Sequence, residues 1–156
     1  MEEEKDAMKF PPKDDRLLKR LVESQRYAAL ATKSIDYPYL SLVAFAATSD
    51  LNSLVFCTPR KTSKYLNMAS YPQVALLIDD RSNRDSDIKN ASALTVLGFA
   101  EEPRGAAKKK LLKIFLAKHP QLREFAVSPE NALIRIRPEK LIFVTKFQEV
   151  KILRFI

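Results

Sequence analysis

The feature that most restricts this chain is its shortage of glycine: Gly98 and Gly105 are the only two among 156 residues. Folds that cradle phosphate on backbone N–H groups need several close glycines. Neither a dinucleotide-binding turn nor a P-loop can be built here. A bound phosphate would have to be gripped by side chains, plus at most one helix N-terminus. One stretch has that composition, FCTPRKTSKYLN at 56–67. A strand-like apolar run ends at Cys57, and Thr58, Arg60, Lys61, Thr62, Ser63 and Lys64 follow where a strand hands over to a helix.

The length suits one domain with a sizeable core, and 46% hydrophobic residues exclude a disordered polymer. Lys and Arg total 27 against 19 acids, a net charge of +8. That balance invites anions (a phosphate-bearing cofactor, nucleic acid, acidic lipid) without choosing among them. One Cys and one His exclude a disulfide framework and most zinc sites, so no metal is expected. The start, MEEEKD, is acidic, the opposite of a signal peptide. The uncharged run 37–49 is too short to span a bilayer and contains Pro38. The expectation is a soluble, cytoplasmic protein with no membrane partner.

Residues 1–13 read as a mobile N-terminal arm ending in Pro11-Pro12, followed by a single domain over 14–156. Asp14 or Asp15 is placed to cap a helix at about 14–25, with Leu17, Leu18, Leu21 and Val22 on its apolar face. YAALATKS, YLSLVAFAAT and SLVFCT read as strands joined by short turns, hence antiparallel neighbours. TSKYLNMASYP reads as a short helix stopped before Pro72, and QVALLID as a fourth strand. Residues 79–90 are polar and read as a solvated loop; they lack the Gly and terminal Glu of a calcium loop. ASALTVLGFAEEP is a long strand in which Gly98 predicts a bulge or a close backbone approach. A helix follows at about 105–118, then a short helix in HPQLREFAVSP. NALIRIRP and KLIFVTKF read as a closing pair of strands, and VKILRF as one more edge. The sum is a mainly β chain with flanking helices, a small antiparallel barrel.

LLKRLVESQRYAALAT, YPYLSLVAFA, LVFCTPRKTSKYLNMASYPQVALLI and ALTVLGFAEEP, in that order, resemble the FMN-binding split-barrel family, the pyridoxamine 5′-phosphate oxidase-like proteins. The resemblance covers residues 17–103 and, more weakly, runs to about 145. It implies an antiparallel split β-barrel, a homodimer, and FMN held at the subunit interface. Thr58, Thr62, Ser63 and Lys64 fall on the family's phosphate-binding positions, with Arg60 and Lys61 as neighbours. Leu42, Val43 and Ala44 fall beside the flavin ring. The chain also departs from the oxidase. Ser41 and Ala46 stand where that enzyme has an Arg and a Lys, Ala93 where the family often has a Gln, and the tail lacks its Arg-x-His motif. The phosphate corner therefore carries over and the pyridoxamine substrate does not.

From residues alone, the corner at 58–64 reads equally as a capped helix start with solvated lysines. Cys57 reads as a buried structural thiol, and His119 as a helix-end cation before Pro120. Arg104, Lys108, Lys109, Lys110, Lys113, Lys118 and Arg123 occur with no acid between them, but also without interleaved aromatics. Nucleic acid is accordingly not the expected partner. Two functions remain open: an FMN-dependent oxidoreductase acting on a small molecule, with no catalytic residue assigned, or a non-catalytic flavin-binding or flavin-sensing protein. Relatives of the fold also use a deazaflavin or bind haem.

Overall fold

The computed structural model describes residues 8–9, 15–146 and 149–155. In chain order its elements are β1 (Met8–Lys9), α1 (Arg16–Ser24), β2 (Tyr27–Lys33), β3 (Pro38–Ala47), β4 (Leu54–Pro59), α2 (Ser63–Ser70), β5 (Gln73–Asp79) and α3 (Asp87–Asn90). They continue with β6 (Ala93–Glu101), α4 (Gly105–Lys118), α5 (Arg123–Val127), β7 (Asn131–Thr145) and β8 (Glu149–Arg154). Of the expected N-terminal arm, only Met8–Lys9 lies within the described residues, paired in parallel with β8.

Alternation of apolar and polar residues closes six of these strands into an antiparallel barrel. The ring runs β7-β4-β3-β2-β5-β6, and β6 pairs back onto β7. Inward-facing Leu30, Phe45, Phe56, Leu76, Ile78, Leu94, Ile136 and Leu141 are each at most 1% exposed. Each contributes about 1.5–3 kcal/mol of burial. Two helices stop the ends. α1 is capped by Asp15, whose carboxylate accepts from Leu18 N at 3.1 Å. It delivers Leu18, Leu21 and Val22 to the core beside the start of β2. α2 delivers Met68 to the same core at the other end, where Asn67 Nδ2 donates to buried Thr32 Oγ1 at 3.0 Å.

α4 lies over the outer face of β3, β4 and β7. Leu111, Phe115 and Leu116 pack there on Ala46, Val55 and Leu133. The sheet side of that core includes Cys57, so burial pushes its thiol up to about 12. Lys118 ends the helix by donating to Val22 O at 3.1 Å and Gln25 O at 2.5 Å, which caps α1. Burial lowers its amine to about 8. His119 is 2% exposed and its Nε2 lies 2.7 Å from Phe45 O.

Two expectations change. The closing pair of strands is one continuous strand, β7, running through Pro138. Its register against β6 shifts between Leu97 and Gly98, so Glu139 is the extra residue of a bulge and Pro138 sits opposite Gly98. The approach is close: a Cβ on Gly98 would meet Arg137 O at 2.2 Å. A strand can absorb a proline at such a bulge because the ladder is already interrupted there. The loop at 79–90 contains a helical turn, α3, nucleated by Asp87, which accepts from Ser82 N and Arg84 N. His119 stands at the C-terminal end of α4, where it was expected, and is buried there with Nε2 against Phe45 O. Among the described residues there is no cluster fit for a metal, and no helix is long and apolar enough to cross a membrane.

Candidate functional site

The corner predicted at 58–64 forms where β4 ends and α2 begins. Thr62 is the N-cap of α2, and its Oγ1 accepts from Tyr65 N at 3.4 Å. The same oxygen lies 2.8 Å from Pro59 O and 3.0 Å from Thr58 Oγ1. Thr58 Oγ1 lies 3.4 Å from Pro59 O as well, so either threonine can donate in that pair, and Thr58 is 1% exposed. Both threonine hydroxyls are consumed in building the turn. Arg60 is engaged as well: its Nη1 pairs with Glu102 Oε1 and donates to the Tyr65 hydroxyl at 3.2 Å. Tyr65 in turn donates to Glu102 at 3.0 Å. The Arg60 hydrogen bond holds the Glu102 carboxyl below the usual carboxylate range. Arg60 is thus a pin between the corner and the end of β6.

Lys61, Ser63 and Lys64 remain. None has a hydrogen bond or ion pair among the described residues. Ser63 and Lys64 occupy the first turn of α2, where unpaired N–H groups and the helix dipole favour an anion. Ser41 Oγ, on β3, is sealed from solvent and has no hydrogen-bond partner among the described residues. Ser41 shares its facing with Val43 and Phe45, so it points into the barrel and not at the corner. β3 and β4 are in register only at Phe45↔Phe56, Ala46↔Val55 and Ala47↔Leu54.

That register exposes the split in the barrel. β3 pairs with β2 from Pro38 to Ala44, but with β4 only from Phe45 to Ala47. The backbone edge of residues 38–44 on the β4 side therefore has no strand partner among the described residues. Leu42, Val43 and Ala44 lie on this open edge. Leu42 is 69% exposed and Ala44 half-buried on the outside, while Val43 belongs to the core. Around them Tyr27, Ala29, Ala31, Leu40, Ala75, Leu77, Leu97 and Phe99 form an outward apolar face across β2, β3, β5 and β6.

The structure brings Thr58, Arg60, Lys61, Thr62, Ser63 and Lys64 into one corner and places Leu42, Val43 and Ala44 on the adjoining open edge. Sequence reasoning missed the Glu102–Tyr65 partners of Arg60. The doubled acid Glu101-Glu102 at a strand end was the available signal.

Comparison with known proteins agrees with this geometry. Residues 15–145 match the family described as pyridoxamine 5′-phosphate oxidase. A pyridoxamine 5′-phosphate oxidase homolog of Schizosaccharomyces pombe is 34% identical over 89 residues, covering 51% of this chain and 47% of that protein. The chain thus spans about half the length of that relative. Among solved structures, a heme binding protein from Mycobacterium smegmatis superposes with a TM-score of 0.79 at 17% identity, over 87% of this chain and 55% of that one. The heme storage protein HutZ of Vibrio cholerae gives 0.71 at 15%, over 89% and 96%. A putative pyridoxamine 5′-phosphate oxidase from Listeria innocua gives 0.64 at 18%, over 82% and 95%. At these identities the superpositions speak for the fold alone, the split barrel. With an antiparallel six-stranded barrel, a split beside β3 and a match across residues 15–145, the chain belongs to the pyridoxamine 5′-phosphate oxidase family.

Proposed function

We propose that this protein binds FMN and works as a flavin-dependent oxidoreductase on a small molecule. The observation that carries the reading is the strand-to-helix corner at 58–64, where Ser63 and Lys64 occupy the first turn of α2 with no side-chain partner among the described residues. Lys64 and the first N–H groups of α2 would hold the phosphate, with Lys61 adding positive potential. Thr58, Thr62 and the Arg60–Glu102–Tyr65 pin would keep the corner rigid. The open backbone edge at Leu42–Ala44 would accept the polar rim of the ring, and the Leu42 side chain would exclude water from its apolar part. The flavin supplies the redox chemistry when bound. FMN is favoured over FAD because the chain has no glycine-rich turn for a pyrophosphate.

Two haem-related neighbours make haem the competing occupant, and the chain's own donors oppose it. The single histidine is buried with Nε2 on Phe45 O. The Cys57 thiol sits under α4 with its proton held to about 12. Pyridoxamine 5′-phosphate is not the proposed substrate, because Ser41 and Ala46 carry no charge for its phosphate.

The protein is further proposed to act as a homodimer, with no membrane or nucleic-acid partner. Leu40 and Leu42 are 71% and 69% exposed in the middle of the apolar face, where a second copy would cover them and wall the ring site. The test is titration of the purified protein with FMN and with haem, read by flavin fluorescence and by visible absorbance, alongside light scattering. Quenching of FMN by a dimer, turnover with a reduced nicotinamide donor and weak haem uptake are expected. Haem uptake with no FMN quenching would overturn the reading. FMN uptake without turnover with any electron donor would leave a flavin-binding protein that is not an enzyme.

A further inference from the structure

The flank of α4 beside the start of α5 carries a groove of about 460 Å³ that the flavin reading does not use. Leu112 and Leu116 are its aliphatic floor, with Lys109, Lys113, Arg123 and the exposed Ala117 around it. The floor is the edge of the core that α4 covers: Leu116 packs on the sheet with Leu111 and Phe115, and Leu112 is half-buried against the same cluster.

The rim cations differ from their neighbours on the same helix. Lys108 acts on Glu102 and Cys57, Lys110 acts on Asp50, and Lys118 is spent on the carbonyls of α1. Lys109, Lys113 and Arg123 have no hydrogen bond, ion pair or facing carboxylate among the described residues. Lys109 and Lys113 stand one turn apart, a spacing at which like charges destabilise a helix. The groove therefore combines uncompensated positive charge with recessed aliphatic surface.

We infer that this groove docks an acidic segment of another protein, one that seats an aliphatic side chain on Leu112 and Leu116 with carboxylates on either side. A nucleic acid backbone would use the cations but not the aliphatic floor, and the groove offers no aromatic ring for a base. An acidic bilayer would need large apolar side chains standing proud between the cations, and here they are recessed. Only a peptide of mixed acidic and aliphatic character satisfies both halves of the groove.

The experiment uses the full chain and a fluorescein-labelled peptide of about fourteen residues with Glu and Leu at helical spacing, read by anisotropy at about 0.15 M salt. Its companions are the same peptide with Leu replaced by Ser, a single-stranded oligonucleotide of equal charge, and phosphatidylserine vesicles. The Glu/Leu peptide is expected to bind, and the Ser version to bind roughly tenfold more weakly. Lys109→Glu with Lys113→Glu should weaken binding roughly tenfold or more. Ala117→Trp, which fills the groove without touching charge, should do the same, and both variants should keep the parent melting temperature. Failure of the Glu/Leu peptide to bind overturns the inference. So does equal binding of the Ser version, or tighter binding of the oligonucleotide or the vesicles.

Discussion

Replacing Ser41 by Ala should raise stability and leave FMN binding nearly unchanged. Its hydroxyl is sealed from solvent without a partner, so in the ligand-free protein it costs about 1–3 kcal/mol of lost hydration. Alanine removes that cost. The void of one oxygen atom returns only a few tenths of a kcal/mol, at about 24 cal/mol per Å³. The net gain is about 1–2 kcal/mol. In a domain of this size each kcal/mol moves the midpoint by about 2–4 °C, so the ligand-free variant should melt roughly 2–8 °C higher. The same hydroxyl is closed off inside the barrel, out of reach of a phosphate held at the N-terminus of α2, so its loss should change FMN binding about twofold or less. Calorimetry of the ligand-free protein and fluorescence titration with FMN measure the two effects separately. A variant that melts lower than the parent, or that binds FMN roughly tenfold more weakly, would refute the reasoning.

Lys64→Ala should weaken FMN binding about ten- to a hundred-fold, since it removes a cation from the first turn of α2. Lys110→Ala should change it about twofold or less, and only at low salt, in the same titration. Gly98→Ala should lower the melting temperature by roughly 5 °C or more, because its Cβ would overlap the backbone oxygen of Arg137 at 2.2 Å. Gly105→Ala meets nothing within 4 Å and carries only the strain of φ +61°, so its effect should be the smaller. Cys57 should react with a thiol reagent at pH 8 roughly a hundred-fold more slowly in the folded protein than in denaturant. Its pKa rises from 9.0 to about 12 on folding, so above pH 9 the unfolded chain releases a proton that the folded one keeps. Its contribution to stability is then full below pH 9 and is lost progressively between about 9 and 12, which denaturant melts across that range would follow.

The fold was legible where sequence periodicity is local. The strands read at 27–34, 39–48 and 53–58 appear at Tyr27–Lys33, Pro38–Ala47 and Leu54–Pro59, Val55 and Cys57 face away from Leu54 and Phe56, and the register shifts at Gly98 as read. What sequence does not carry is pairing at a distance. Pro138 looked like the end of a strand because the register shift that accommodates it is set by β6, some forty residues earlier. Arg60 was legible only as a neighbour of the phosphate positions, because Glu102 reaches it only once β6 lies against β7. The corner was legible as composition, Thr, Ser and Lys at a strand-helix junction. Which of its hydroxyls are already spent depends on hydrogen-bond geometry, and no pattern of residue types encodes that.

The ring is closed by β7 alone, which pairs with β4 on one side and β6 on the other. A chain emerging from the ribosome has made five of the six barrel strands by residue 101, yet β4 and β6 both remain open edges until residues 131–145 arrive. During that interval the nascent sheet offers two unpaired apolar strands to any neighbour, the condition that favours strand exchange and aggregation. The 29 residues between β6 and β7 include α4, which would shelter the outer face of β3 and β4 while synthesis catches up. A ribosome stalled before residue 131 should therefore hold a protease-sensitive chain, and one stalled well beyond residue 145 a resistant one. The transition should be abrupt, because the last strand zips both seams in one event.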